Sequence, residues 1–428
     1  MEKLVIQGGV PLSGTIVPAG NKNAALPLLA ASLLTAEEVV VDNVPRIRDV
    51  EAMLELLADL GVKVSRRGDN TVALQADDVG GTDVDPALAE RIRASFLVAG
   101  PLLARFGRAV LPPPGGDVIG RRRLDPHLDA FRALGATVEH DRNISITAPA
   151  GGLRATDFFM DEPSVMGTEN ALMAAALTPG TTVIRNAASE PHVQDLARLL
   201  NRMGAAIEGI GSNVMYVHGL SELGGCEHSV CPDHIEIASF MALAGVTGGE
   251  LRVKDCVSED LRMICLVFER LGLRSEWDGG DIVVPGGQKL IVQRDAGDYQ
   301  SKVEDGPWPA FPADLTSIAV ALATQSEGSV LIFEKMFENR LFFVDNLILM
   351  GAEITICDPH RVIVIGPRRL RGERLSSPDI RAGMAMLIAA LCADGQSEIH
   401  NVQQIDRGYE RIDERLRDLG AQIERIAL

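Results

Sequence analysis

One pattern of apolar and polar positions recurs six times along the chain. An amphipathic stretch ends in Leu or Met, one glycine follows, and a short alternating run comes next. It reads LLADLGVKV around Gly61, FRALGATVE around Gly135, LNRMGAAIE around Gly204, FERLGLRSE around Gly272, LILMGAEIT around Gly351 and RLRDLGAQIE around Gly420. The spacing is roughly seventy residues, the size of one supersecondary unit rather than of a solenoid repeat. A glycine just past a helix end predicts a left-handed cap. After every copy but the last come two alternating segments around a turn, such as VKVSRRGDNTVALQA and ITICDPHRVIVIG, which predict β-hairpins.

A second helical pattern precedes each of these: NKNAALPLLAASLL, IRASFLVAGPLLA, TENALMAAALTP, HIEIASFMALAG, DLTSIAVALATQ and IRAGMAMLIAALC. These stretches are rich in small residues and apolar nearly all round, which predicts burial. A glycine-bearing turn and a strand such as TTVIRNA, SVLIFEK or SEIHNVQ follow. The predicted unit is β-α-β-α-β-β, repeated six times. Three copies can bury their central helices together behind three sheets. The predicted fold class is therefore α/β (α+β), with two lobes of three repeats and a cleft between them.

The polar residues concentrate at the N-terminal ends of the buried helices. They are Lys22 and Asn23, Arg93, Ser164 to Glu169, Asp233 and His234, Asp314, and Asp379 with Arg381. Ser, Asp and Asn are helix caps in their own right. Capping does not account for Lys22, Arg93 or Arg381, because a cation is unfavourable at a helix N-terminus. An anion held there accounts for them, since free N–H groups and the dipole attract phosphate. Loops add Arg48, Arg121 to Arg123, Arg340 and Arg407. The stretch PPPGGDVIGRRRLDPH (112–127) sets three guanidinium groups and Asp117 on a glycine-rich loop. Such a run reads either as a solvated turn or as a lid that closes over a phosphorylated ligand. The other cations favour the lid, with Arg121 to Arg123 facing outward on it.

Composition narrows the function. Across 428 residues the formal net charge is −18 and aromatic residues make up 4%, which argues against a general nucleic-acid surface and against stacking platforms for single strands. The start, MEKLVIQGG, has no apolar signal region, and no apolar run approaches membrane-spanning length, so a cytoplasmic enzyme without a membrane partner is expected. The six cysteines form no disulfide framework. The cluster CEHSVCPDH, with Cys226, His228, Cys231 and His234, has metal-like composition, but its spacing matches no standard zinc pattern. Ordinary thiols are expected there, and no metal.

At these residues the sequence resembles the UDP-N-acetylglucosamine 1-carboxyvinyltransferases, the enolpyruvyl transferases of peptidoglycan synthesis. The likeness runs from GNKNAALPLLAASLL (20–34) to IDRGYERIDERLRDLGAQIERI (405–426), through GGDVIGRRRLDPH, PSVMGTENALMAAAL, NAASEPHVQDLARLL, FPADL, FENR and PDIRAG. It implies a two-lobed inside-out α/β barrel, with lobes at 22–231 and at 1–21 plus 232–428 and the active site in the cleft. It implies transfer of the enolpyruvyl group of phosphoenolpyruvate to the 3-hydroxyl of UDP-N-acetylglucosamine with release of phosphate. Neither a cofactor nor an obligate protein partner is implied.

The resemblance also carries roles onto residues. Lys22, Arg122 and Arg407 would hold the phosphate and carboxylate of phosphoenolpyruvate, and Arg93 and Arg381 would support that pocket or the diphosphate. Asn23 and Asp314 would contact the sugar, with Asp314 as the base that takes the hydroxyl proton. Arg123, Leu124 and Asp125, with Ser164, Val165 and Gly167, would line the uridine-diphosphate site. Arg340 would belong to the closed cleft. Asp379 would stabilise the cationic carbon of the intermediate.

The chain departs from the family pattern at several positions. Asp117 stands where most members carry the cysteine that the epoxide fosfomycin alkylates; it would serve as the acid and leave the enzyme insensitive. Arg123 replaces a proline and Glu162 a lysine; Arg48, His234, Ala313 and Gln404 also differ. These changes leave open a related transferase with another acceptor, or a silent homologue that binds nucleotide sugar. The shikimate enolpyruvyl transferase shares the fold, but its usual DKSxxHR and GNAGT stretches are absent.

Overall fold

A computed structural model of the chain describes residues 2–117 and 119–428. Each repeat glycine lies in the left-handed region directly after a helix end: φ is +100° at Gly61, +96° at Gly135, +112° at Gly204, +93° at Gly272, +105° at Gly351 and +98° at Gly420. A Cβ is strained in that region, which is why glycine punctuates all six copies. The hairpins follow as expected. Lys63–Arg66 pairs antiparallel with Val72–Gln75, Thr137–His140 with Ile144–Thr147, and Ala206–Glu208 with Val214–Gly219. Glu276–Asp278 pairs with Asp281–Val284, and Glu353–Asp358 with Arg361–Gly366. The last copy has no hairpin of its own; Gln422–Ala427 pairs instead with Glu2–Gln7 from the start of the chain.

The chain divides into two units, residues 20–117 with 122–231 and residues 2–19, 119–121 and 232–428. The first crossing lies before Gly20 rather than after residue 21. Asn21 caps the helix Lys22–Ala31 and donates its backbone N–H to the Cys231 carbonyl at 2.8 Å, which ties it to the first unit. Gly20 is packed so tightly that a Cβ would stand 1.8 Å from the Asn43 carbonyl oxygen, so no other residue fits there. Residues 119–121 group with the second unit, where Asn339 donates its N–H to the Ile119 carbonyl at 3.0 Å.

These crossings redistribute strands among the repeats. The edge strand beside Glu38–Asp42 is Cys226–Ser229, and the one beside Leu251–Val253 is Gly14–Ile16; both pairs run parallel. Among the described residues, five sheets have four strands in the same order: a parallel edge strand, the strand after the buried helix, then the two antiparallel strands. The sixth sheet has three strands, with a single bridge from Asp83 to Val110 in place of the edge strand.

Within each unit the helices are central and the sheets lie outside. The first core gathers Lys22–Ala31, Ala99–Phe106 and Val165–Ala176; the second gathers His234–Thr247, Thr316–Ala323 and Ile380–Cys392. Their apolar circumference is the cause, because each buried Leu, Ile or Met side chain contributes about 1.5–3 kcal/mol. Packing central helices against one another leaves their polar ends as the places where side chains reach the surface. Among the described residues no helix is long and apolar enough to cross a membrane.

Candidate active site

In the first unit, Lys22 opens the helix Lys22–Ala31, and Asn21 accepts from the N–H groups of Asn23 at 2.8 Å and Ala24 at 3.1 Å. Lys22 is nearly buried, and its Nζ lies 2.8 Å from Asp49 Oδ2. The cation that looked unfavourable at a helix N-terminus therefore has a carboxylate of the protein as well as any ligand to offset it. Asp49 sits in the first turn of the helix Arg48–Asp59, where an acidic residue also suits the helix dipole. At a third buried helix, Ser164 caps Val165–Ala176 and accepts from the Gly167 N–H at 3.2 Å.

The arginine loop is anchored rather than splayed. Gly115 lies against the Glu90 carbonyl and Gly116 against Arg93, where a Cβ would meet atoms at 1.8 and 2.8 Å. Arg93 donates to the carbonyls of Arg122 at 2.6 Å and Arg123 at 3.4 Å, so it holds the loop backbone. Burial, helped by the Arg122 charge, lowers Arg93 to about 10. The expectation that all three arginines face outward is corrected: Arg121 is exposed, whereas Arg122 and Arg123 are half-buried. Arg123 reaches Asp161 at 2.7 Å, Asp125 at 3.2 Å and Glu162 at 3.3 Å. The hydrogen bond to Asp161 leads in holding Arg123 above its ordinary value. Two departures from the family pattern, Arg123 and Glu162, thus meet as one ion pair. These carboxylates neutralise Arg123, which is therefore not a free phosphate fork. Leu124 and Asp125 open the helix Asp125–Ala133, with Asp125 exposed. Asp117 is half-buried in the N-terminal limb of the loop.

In the second unit three cationic and acidic groups converge. Asp314 lies in the turn Ala313–Leu315 that leads into a buried helix. Its Oδ1 accepts from Arg340 Nη2 at 2.7 Å, and its Oδ2 accepts from Arg381 Nε at 3.1 Å and stands 2.9 Å from Arg381 Nη2. Both guanidinium side chains are 4% exposed, against 28% for the carboxylate, so the acid is the accessible member. Arg381 also donates to the Tyr409 hydroxyl at 3.3 Å and stacks over that ring; Tyr409 meets Ser239 at 3.0 Å. Desolvation works against the Arg381 charge, but Asp314 and its other neighbours keep it above its ordinary value. Asp379 caps the helix Ile380–Cys392, with Oδ1 accepting from the N–H groups of Arg381 at 2.8 Å and Ala382 at 3.0 Å. His234, edge-on to Trp308 at 6.0 Å, is lowered to about 4 by burial and then by the Arg381 charge. Arg407, half-buried, donates to Gln404 at 2.9 Å.

Sequence reasoning missed Asp49, Asp161, Tyr409 and Ser239, each the partner of a predicted cation or of that cation's neighbour. Among the described residues no three or more His, Cys, Asp or Glu side chains cluster as a metal site would require. His228 is buried against Asp195 at 2.9 Å, which also accepts from the Cys231 N–H at 3.0 Å.

Two solved structures share this architecture. The enolpyruvyl transferase NikO from Streptomyces tendae superposes with a TM-score of 0.86 at 24% identity, covering 100% of this chain and 99% of that one. EPSP synthase from Acinetobacter baumannii superposes with a TM-score of 0.74 at 19% identity, covering 100% of both chains. The fold is that of the enolpyruvyl transferases. A sequence model of the EPSP synthase (3-phosphoshikimate 1-carboxyvinyltransferase) family matches residues 6–416. Two relatives named UDP-N-acetylglucosamine 1-carboxyvinyltransferase are much closer in sequence. The one from Bradyrhizobium diazoefficiens is 56% identical over 99% of this chain and 97% of its own, and the one from Treponema denticola is 53% identical over 99% of both. The chain belongs to the UDP-N-acetylglucosamine 1-carboxyvinyltransferase family.

Proposed function

We propose that this protein is a cytoplasmic transferase that moves the enolpyruvyl group of phosphoenolpyruvate to the 3-hydroxyl of UDP-N-acetylglucosamine and releases phosphate, the first committed step of peptidoglycan synthesis. The observation that carries this reading is Asp314, an accessible carboxylate held by two buried guanidinium groups in a chain of this family. A sugar hydroxyl is a poor nucleophile until a carboxylate accepts its proton, and the accessible Asp314 carboxylate supports its assignment as that base. The hydroxyl oxygen bonds to C2 of phosphoenolpyruvate as C3 gains a proton; Asp117 delivers it. Loss of phosphate and of a proton from the new methyl group then restores the vinyl carbons.

Lys22, Arg122 and Arg407 hold the phosphate and carboxylate, for which arginine forks offer paired hydrogen bonds. Asn23 meets the sugar, while Ser164, Val165 and Gly167 offer a helix N-terminus to the diphosphate, with Leu124 and Asp125 beside it. Arg93 and Arg123 act by holding the loop, and Arg340 and Arg381 by holding Asp314. Asp379 adds negative charge close to the developing cation. No metal or organic cofactor enters this scheme. The test is phosphate release from phosphoenolpyruvate with and without UDP-N-acetylglucosamine, with the product weighed. Sugar-dependent release and a product heavier by one enolpyruvyl group are expected. Binding of the sugar nucleotide without release would replace the transferase by a nucleotide-sugar-binding homologue.

A further inference from the structure

The turn that carries Arg340 is pinned by two acidic residues to which the scheme above gives no role. Asp305 directly follows the strand Ser301–Glu304 and is 1% exposed; Glu334 directly follows Gly328–Phe333 and is 0% exposed. The Asp305 carboxylate accepts from the N–H of Lys335 and, at 3.3 Å, from that of Met336. Glu334 Oε1 accepts from the Phe337 N–H at 3.1 Å. Three successive main-chain donors thus end on two carboxyl groups. Glu334 is also clasped through its backbone: its N–H donates to the His360 carbonyl at 2.8 Å, and its own carbonyl meets His360 Nδ1 at 2.7 Å. From this pinned turn Glu338 accepts from the Arg121 N–H at 3.2 Å, and Arg340 reaches Asp314.

One atom in this arrangement is out of balance. Glu334 Oε2 is fully buried and receives no hydrogen bond of good geometry, although the Thr316 hydroxyl faces the carboxyl group and favours its charged form. An orphaned carboxylate oxygen is costly unless it carries a proton that it can donate. The Asp305 carboxylate, which caps the two preceding N–H groups of the same turn, lies within hydrogen-bonding reach as an acceptor, and two bare anions side by side in a dry site would repel.

We infer that Glu334 and Asp305 share one proton and act together as a positioning pair, with Glu334 donating to Asp305 and so fixing the turn that keeps Arg340 on Asp314. The inference rests on the transferase reading of Asp314. Burial first, then the Asp305 charge, push Glu334 up to about 8, with Arg340 pulling the other way. The other groups facing the pair are His360, the Thr316 hydroxyl and Lys335, whose ammonium lies 3.5 Å from Glu304. The sign follows from that value. The folded protein keeps the proton up to about pH 8, whereas an unfolded Glu releases it near about 4.3. Stability drains away as pH rises across that window, and positioning of Arg340 fails as pH passes its upper end.

The test compares wild type with Glu334→Gln, Glu334→Ala and Asp305→Asn in the full chain. Wild-type kcat should fall above about pH 8 while KM for phosphoenolpyruvate changes little. Glutamine donates an N–H at every pH, so Glu334→Gln should lose that alkaline fall. Glu334→Ala should lose about tenfold to a hundredfold in kcat, the scale of a misplaced catalytic group, and Gln should recover most of it. Difference infrared spectra should show a carboxylic-acid band in wild type that disappears as pH passes about 8 and is absent from Glu334→Gln. An unchanged alkaline limb in Glu334→Gln, or no acid band in wild type at neutral pH, overturns the inference. The band needs no turnover: a chain that shows it but makes no enolpyruvyl product retains the proton pair and loses the transferase reading.

Discussion

Asp314→Asn removes one charge and almost no volume from the second cluster. In wild type the carboxylate binds two guanidinium groups at 2.7 and 2.9 Å. Each such pair is worth about 4 kcal/mol of attraction at an effective dielectric constant of about 20, most of it offset by desolvation. Breaking a fully buried pair costs about 3–5 kcal/mol. Asp314 is 28% exposed, and Asn still accepts one hydrogen bond from a guanidinium, so a net loss of about 2 kcal/mol is expected. In a unit of this size that lowers the unfolding midpoint by about 4–8 °C. Catalysis should suffer far more, because an amide cannot accept the hydroxyl proton: kcat should drop by about 10²–10⁴. Calorimetry for stability, titration with UDP-N-acetylglucosamine for binding, and phosphate release for turnover separate these effects. A folded Asp314→Asn protein that binds the sugar nucleotide and retains more than about a tenth of wild-type kcat would refute Asp314 as the base.

Lys22→Met should remove the ammonium 2.8 Å from the buried Asp49 and cost about 3 kcal/mol in urea unfolding; adding Asp49→Leu should restore stability but not phosphate release, whereas recovery of both would deny Lys22 a role in binding. Asp117→Asn should lower kcat by about 10²–10⁴. Wild type should resist fosfomycin while Asp117→Cys is inactivated, and rapid irreversible inactivation of wild type would count against Asp117 as the acid. His127 is buried, 2.9 Å from the Asn170 side chain, and burial followed by the Arg93 charge lowers it to about 3. Because the unfolded residue binds a proton near about 6.5, stability should fall as pH drops from there towards 3, and His127→Gln should flatten that slope in a pH series of thermal midpoints.

The repeat architecture was open to reading because it is written locally. A helix end followed by Gly61, Gly135, Gly204, Gly272, Gly351 or Gly420, a period of two in the hairpins and an all-round apolar helix are properties of a few neighbouring residues. Local sterics and burial act on those residues in the same way in all six copies. The polar helix ends, and with them most of the candidate site residues, came from the same reading. Partners were a different matter. Arg340 and Arg381 lie 26 and 67 positions from Asp314, and Glu162 lies 39 positions from Arg123. No periodicity carries that information.

The amino-acid sequence therefore determined the six units, their buried helices and the charged groups at the helix ends. Only the tertiary structure decided what neutralises each charge: Asp49 for Lys22, Asp161 and Glu162 for Arg123, Asp314 for two arginines, and, by inference, a shared proton for Glu334 and Asp305. It also decided that the edge strands Cys226–Ser229 and Gly14–Ile16 join sheets whose other strands lie far away in the chain. The physical reason is range. Backbone conformation is settled between near neighbours, whereas buried charge demands a counter-charge within a few ångströms wherever the fold happens to bring one.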